Sequence, residues 1–291
     1  MPNLLDIRRR IRSVKNTQQI TQAMKMVSAA KLRRAQEQAL AARPYAQRLA
    51  EMMNGLAAYL DPQDLTDVRI PGEEWALSAL LAQRPVSQRR IIAVTTDSGL
   101  VGAFNANVIK AALGTSDTSF AAVGRKARDY FKRHELPLAG EHIGVFGRTI
   151  DYDVARQISL TAMRAYATGA TDEVLLVGNE FKSVLQQRVV VRRLLPFELP
   201  QRQGERRDYI FETPPAQLLA QLLPRAIETQ VYRALLESLA SEHAARMNAM
   251  EAATSNAGDL IDSLTLNMNR VRQAAITKEI IEVVSGAAAL G

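Results

Sequence analysis

At 291 residues the chain exceeds a single ordinary domain, and its balance of 47% hydrophobic and 23% charged residues excludes an unfolded polymer. It contains no cysteine, which excludes disulfide and thiolate chemistry and fits a reducing compartment, and no stretch of ~18 apolar residues able to span a bilayer. The net charge of +7 is uneven: residues 1–48 hold eleven Arg and Lys against Asp6 and Glu37, 11 − 2 = +9, which leaves 7 − 9 = −2 for the rest.

The chain opens on a predicted helix. Arg8, Arg9, Arg10 and Arg12 stand there without the apolar run of a signal peptide. From Asn3 to Arg43 there is neither glycine nor proline, and Asn3 followed by Asp6 suits a helix start. Leu4, Ile7, Ile11 and Val14 recur at 3, 4 and 3. A polar break follows (Asn16 to Gln19), and the stripe is expected to resume at Ile20, Met24 and Val27. Arg8, Arg9, Arg12, Lys25, Arg33 and Arg34 form a basic helix face that implies an acidic neighbour. Nucleic acid fits poorly, since residues 1–44 contain no aromatic side chain to stack on bases. A membrane surface fits poorly too, because the opposite face is Met, Val, Ala and Thr rather than Trp, Phe and Leu.

Between about Asp61 and Phe211 the texture changes to short apolar runs alternating with amphipathic ones. Strands are expected at Arg90–Thr96, Phe120–Val123, Glu173–Val177, Gln187–Leu195 and Tyr209–Glu212, and helices at Asn105–Leu113, Ala127–Arg133 and Val154–Tyr166. That alternation predicts a Rossmann-like α/β domain over residues 61–213. The third segment, 214–291, is helical. No proline follows Pro224, so the helix from there to Leu290 would be roughly 100 Å long at 1.5 Å per residue. Met250, Thr254, Ala257, Ile261, Leu264, Met268, Val271 and Ala275 repeat at alternating 4 and 3, the seam of a coiled coil. The terminal helices, 1–60 and 214–291, are therefore expected to pair antiparallel and to reach beyond their own domain.

Catalytic and cofactor motifs are hard to find. Asp97 to Gly102 is a glycine-rich turn between strand and helix, where phosphate loops sit, but it matches neither a dinucleotide fingerprint nor a P-loop and reads as a structural turn. The Asp97-Ser98-Gly99 triplet echoes aspartic proteases, yet helix flanks it where those enzymes are all-β. His134, His142 and His243 lack metal-ligand spacing and read as surface or interface residues. Glu237, Glu242 and Glu251 lack the Glu-x-x-His partner of a di-metal bundle. No catalytic residue, metal or cofactor is assigned.

The two ends carry a family resemblance. Ile20-Thr21-Gln22-Ala23-Met24-Lys25-Met26-Val27 resembles the ITxAMxMV signature of γ subunits of F-type ATP synthases. Arg272 to Ile280, followed by Val284-Ser285-Gly286-Ala287, resembles that family's C-terminal segment. Tyr232 to Leu235, Ala240 to His243 and Arg246 to Met250 fit as well, and Asp97 to Leu100 and Leu194-Leu195-Pro196 match loosely. The resemblance implies a central rotor shaft turning inside three α and three β subunits, with its α/β domain on the ε subunit and the membrane ring of c subunits. Proton flow would turn it, and ATP chemistry would take place on β. It further implies that Arg272, Gln273 and Thr277 touch β loops with Met24 opposite them, packing in the seam being the other reading of Met24 and Thr277, and that the basic helix faces acidic β loops. The tip from Ser285 to Gly291 is small and apolar, which suits turning: each ~1.4 kcal/mol of orientation-specific binding would slow escape about tenfold. The family commonly has Arg and Cys where Ser98 and Val101 stand, and the regulatory cysteine pair of chloroplast members is absent. With no transit segment before the first helix, a bacterial protein peripheral to the inner membrane on its cytoplasmic side is expected. The competing reading is a basic coiled-coil scaffold or nucleic-acid adaptor with no rotary partner.

Overall fold

The structure, a computed structural model, describes residues 4–57, 59–60, 62–114, 118–147, 149–199 and 211–289. By internal contacts the chain divides into two units, residues 30–245 and residues 1–29 with 246–291. The two long helices, α1 (Leu4–Ala57) and α6 (Pro215–Ala289), contribute to both.

The larger unit is built on a five-stranded sheet of order β3-β2-β1-β4-β5, with β1 Arg89–Val94, β2 Thr118–Val123, β3 Leu138–His142, β4 Glu173–Phe181 and β5 Gln187–Leu195. The first four strands run parallel and β5 closes one edge antiparallel to β4. Alternation along each strand builds two cores. Ile92 and Val94 of β1, Ala121 and Val123 of β2 and Val174 and Leu176 of β4 join the larger one. Ile91, Ala93, Phe120, Ala122 and Val177 join the smaller, beneath α3 (Phe104–Ala112) and α4 (Arg125–Arg133). The larger core is covered by α5 (Tyr152–Ala167), the short α2 (Leu77–Leu81), and the stretches of α1 and α6 in this unit. With α3 and α4 on one face and α5 on the other, this is a doubly wound α/β sheet, as expected.

Sequence reading placed β1, β2, β4, β5, α3, α4 and α5 but missed β3 and α2, both of five residues. Pro137, Gly140 and Glu141 mask β3's strand character, and it pairs only at the sheet edge. The strand expected at Tyr209–Glu212 lies partly outside the described residues, and Phe211 and Glu212 are not in a strand. Helix α6 begins at Pro215, not after Pro224, and carries Pro224 inside it. Leu219, Leu223, Ile227 and Val231 are all fully buried around that proline, and their burial outweighs the one backbone hydrogen bond it removes.

Within α1 the burial of Leu32, Ala35, Ala39, Ala42, Ala46, Leu49, Met53 and Leu56 follows 3, 4, 3, 4, 3, 4, 3. On the other side of this core the Tyr152 hydroxyl donates to Glu228 Oε2 at 3.0 Å. Burial first, then the neighbouring Glu228 charge, push the phenol up to about 12. Its neutral form is thus favoured by folding. That contribution is full below the ordinary tyrosine value of ~10 and is lost as pH rises towards 12. Denaturant midpoints measured at pH 9, 10.5 and 11.5 should fall less steeply for Tyr152→Phe than for the wild type. Parallel curves would remove Tyr152 from the alkaline transition.

In the smaller unit, α1 up to Ala29 and α6 from Arg246 lie antiparallel. Gln18 and Thr21 meet Thr254, while Lys25 meets Glu251, so numbering falls on one helix as it rises on the other. The α6 seam from Met250 to Ala275 is buried or half-buried at every expected position. The α1 seam differs from expectation. Ile20 and Val27 are 60% and 55% exposed, and the stripe instead continues Leu4, Ile7, Ile11, Val14, Gln18, Thr21, Lys25, Ser28. The heptad phase never broke; it passes through polar residues.

Candidate partner interface

The Asp97 to Gly102 turn proves to be a cap for its neighbours. Asp97 Oδ1 accepts from Arg125 N at 2.9 Å, Thr96 O from Lys126 N at 3.1 Å and Thr95 Oγ1 from Ala127 N at 2.9 Å. The first-turn N–H groups of α4 are thus occupied by this chain's own oxygens. Asn105 closes the turn from the other side, accepting from Thr96 N at 3.0 Å. Ser98 Oγ lies 3.5 Å from Glu242 Oε1 on α6. Among the described residues no group of three His, Asp or Glu stands close enough to hold a metal ion. His134 is exposed, and His243, read as a surface or interface residue, is only 7% exposed inside the larger unit. Burial holds the half-buried His142 imidazole below its ordinary value.

The functional candidates on the terminal helices are, with two exceptions, solvent-facing. Arg8, Arg12 and Arg34 are exposed and enter no ion pair among the described residues. Arg9 lies 4.0 Å from Asp6 and Arg33 3.3 Å from Glu37, surface pairs along one helix that contribute little and leave both guanidinium groups accessible. Lys25 is different: half-buried, it reaches Glu251 at 2.7 Å and belongs to the helix pair. Met24 is half-buried at the same level.

Arg272, Gln273 and Thr277 lie on one exposed stretch of α6. Thr277 Oγ1 donates to Gln273 O at 2.9 Å, which uses the hydroxyl but leaves the Gln273 amide free to face outwards. Met24 does not stand opposite them. The Lys25–Glu251 pair fixes its level 272 − 251 = 21 residues earlier on α6, about 31 Å away. By the same register Leu4, the first residue of α1, is level with residue 251 + 21 = 272.

One feature escaped sequence reading. From Ile276 to Ser285 every residue of α6 is exposed, including Ile276, Ile280, Ile281, Val283 and Val284 at 48–72%. Large apolar side chains clustered in this way mark a surface built for contact. The clue in the sequence was the apolar run continuing past Ala275 with no matching stripe on the first helix.

Among the polar contacts of the seam is a pair of threonines. The hydroxyls of Thr21 and Thr254 meet at 2.7 Å, with Thr21 8% exposed. Thr21→Val and Thr254→Val should each destabilise the chain by about 1 kcal/mol. The double variant should cost about as much as one, because the two methyls then pack against each other. A double-mutant cycle by urea unfolding checks this, and strict additivity would show that the hydroxyls do not interact.

A mixed sheet with long N- and C-terminal helices recurs in solved chains of ATP synthases. A chain of the Euglena gracilis mitochondrial ATP synthase (OSCP, F1 and c-ring, rotational state 3) superimposes with TM-score 0.69 at 19% identity, over 99% of this chain and 94% of that one. A chain of the Tetrahymena thermophila mitochondrial ATP synthase central stalk and c-ring gives 0.58 at 23% identity, over 80% and 99%. The family model described as ATP synthase matches residues 3–290. The ATP synthase gamma chain of Solibacter usitatus is 53% identical over 295 residues, 99% of both chains. That of Pelotomaculum thermopropionicum is 46% identical over 297 residues, all of both chains. This chain belongs to the ATP synthase γ-chain family. Membership along the whole length sets aside a scaffold or nucleic-acid adaptor.

Proposed function

We propose that this chain is the central shaft of a rotary ATP synthase, itself without catalytic residues, turned by proton flow and driving nucleotide exchange on β subunits. The observation that carries the reading is the end of α6, where ten consecutive exposed positions, 276–285, present isoleucines and valines that nothing among the described residues covers. Three α and three β subunits would enclose it. A collar of other subunits accounts for apolar exposure that a free helix would otherwise suffer. Arg272, Gln273 and Thr277 would make the polar contacts with β loops. Arg8, Arg9, Arg12, Arg33 and Arg34 would face acidic β loops, with Lys25 and Met24 holding the helix pair together.

Residues 1–60 and 214–291 are read as the torque-bearing helices and 61–213 as the domain that meets the ε subunit and the c ring. No helix among the described residues is long and apolar enough to cross a membrane. The proposed location is therefore peripheral, on the cytoplasmic side of a bacterial inner membrane. Affinity purification of the tagged chain from its native membrane, with subunit counting, tests this. One copy should return with three α and three β subunits and hydrolyse ATP. Recovery without nucleotide-binding subunits, or with nucleic acid, would overturn it.

A further inference from the structure

Within residues 30–245 a cleft of about 950 Å³ opens between α1, the turn at residues 70–75, α5 and the first turns of α6. That volume is at the upper end of ordinary small-molecule sites. Tyr45, Trp75, Tyr152 and Tyr232 all line it, in a chain that is only 5% aromatic.

Three of these rings are held in place. Trp75 Nε1 donates to Glu73 at 3.1 Å, and Glu73 is in turn gripped by both Arg164 nitrogens at 3.1–3.2 Å. Tyr152 and Tyr232 meet edge to face at 5.3 Å, with the Tyr152 hydroxyl committed to Glu228. Tyr45 is 52% exposed, a large ring with one face uncovered. Preset aromatic walls with open faces favour a flat, apolar guest.

The polar groups narrow the guest further. Arg156 on α5 and Arg225 on α6 line the cleft, are exposed, and enter no ion pair among the described residues. Of the three carboxylates on the wall, Glu73 is neutralised by Arg164, Glu228 is engaged by Tyr152, and Asp153 is exposed. Thr229, 7% exposed, also lines the cleft.

We infer that this cleft binds a planar aromatic anion, its ring against Trp75 and the tyrosines and its acid group at Arg156 and Arg225. Guanidinium groups suit this task because they pair with a planar acid group and stack on rings. The site lies apart from the exposed end of α6, and the inference does not rest on the rotary reading.

Trp75 is the only tryptophan, so its emission reports on this cleft alone. The purified chain is titrated with 1-anilinonaphthalene-8-sulfonate, an aromatic sulfonate, and separately with the uncharged N-phenyl-1-naphthylamine. The sulfonate should quench Trp75 saturably at one per chain and bind at least tenfold more tightly than the uncharged dye. The exposed-site double variant Arg156→Ala/Arg225→Ala should lose that tenfold preference while keeping its circular dichroism spectrum. Non-saturating quenching, equal affinity for both dyes, or an unchanged preference in the double variant would each overturn the inference. Ala42→Phe, which fills the cleft from α1, should abolish quenching by both dyes, and quenching retained in a folded Ala42→Phe chain would place the dyes elsewhere.

Discussion

Replacing Gly124 by alanine should unfold the sheet unit or leave it barely stable. Gly124 joins β2 to α4 at φ +91°, a conformation that side-chain-bearing residues rarely adopt. A Cβ there would sit 2.3 Å from Thr95 O and 2.8 Å from Thr95 C. Both are backbone atoms of the turn that caps α4, so neither can swing aside. Backbone strain and overpacking together give a loss on the order of 3–5 kcal/mol, against a total of about 5–15 for a domain. Gly140 supplies the control, since a Cβ at that position meets nothing within 4 Å and Gly140→Ala should change stability by less than about 1 kcal/mol. Urea unfolding followed by circular dichroism separates the two. Equal midpoints would mean that Thr95 yields, and the close approach would lose its importance.

The second large effect belongs to α6. Arg272→Ala with Gln273→Ala should lower the turnover of the assembled complex roughly tenfold, equivalent to about 1.4 kcal/mol, while the amount of assembled complex stays within a factor of two. Arg272 and Gln273 are both exposed, and neither bonds to its own chain through its side chain among the described residues. Alanine is also the best helix former, so the substitutions leave α6 intact. Any lost turnover must then arise at a partner's surface. Unchanged turnover in the doubly substituted complex would remove these residues from coupling.

Periodicity carried most of the architecture. The α6 seam was readable because its positions are apolar or small at every heptad step, and the central strands because buried parallel strands are continuous apolar runs. The α1 seam was misread where Gln18, Thr21, Lys25 and Ser28 occupy core positions, while Ile20 and Val27, more apolar, face outwards. Hydrophobicity alone chose the wrong phase; extrapolating the 3-4 rhythm from Leu4 through the polar residues would have found the right one. Arg272, Gln273 and Thr277 came from family resemblance, since no spacing rule singles out an exposed Arg-Gln pair. Met24 was placed wrongly because resemblance conveys which residues matter but not the level at which two antiparallel helices meet. The cleft was invisible for a different reason. Its walls come from Tyr45, Trp75, Tyr152 and Tyr232, on four segments that only the tertiary fold brings together.

The rhythm of buried positions in α1 constrains how this helix can change length. From Leu4 to Leu56 the inward positions never slip phase, so deleting one residue anywhere between would swing everything downstream by about 100°. Core leucines would then point at water and arginines at the interior. Seven residues, two turns, is the smallest insertion or deletion that keeps both ends facing their own neighbours. The helix is thus graduated like a ruler, and its smallest permitted step in length is roughly 10 Å.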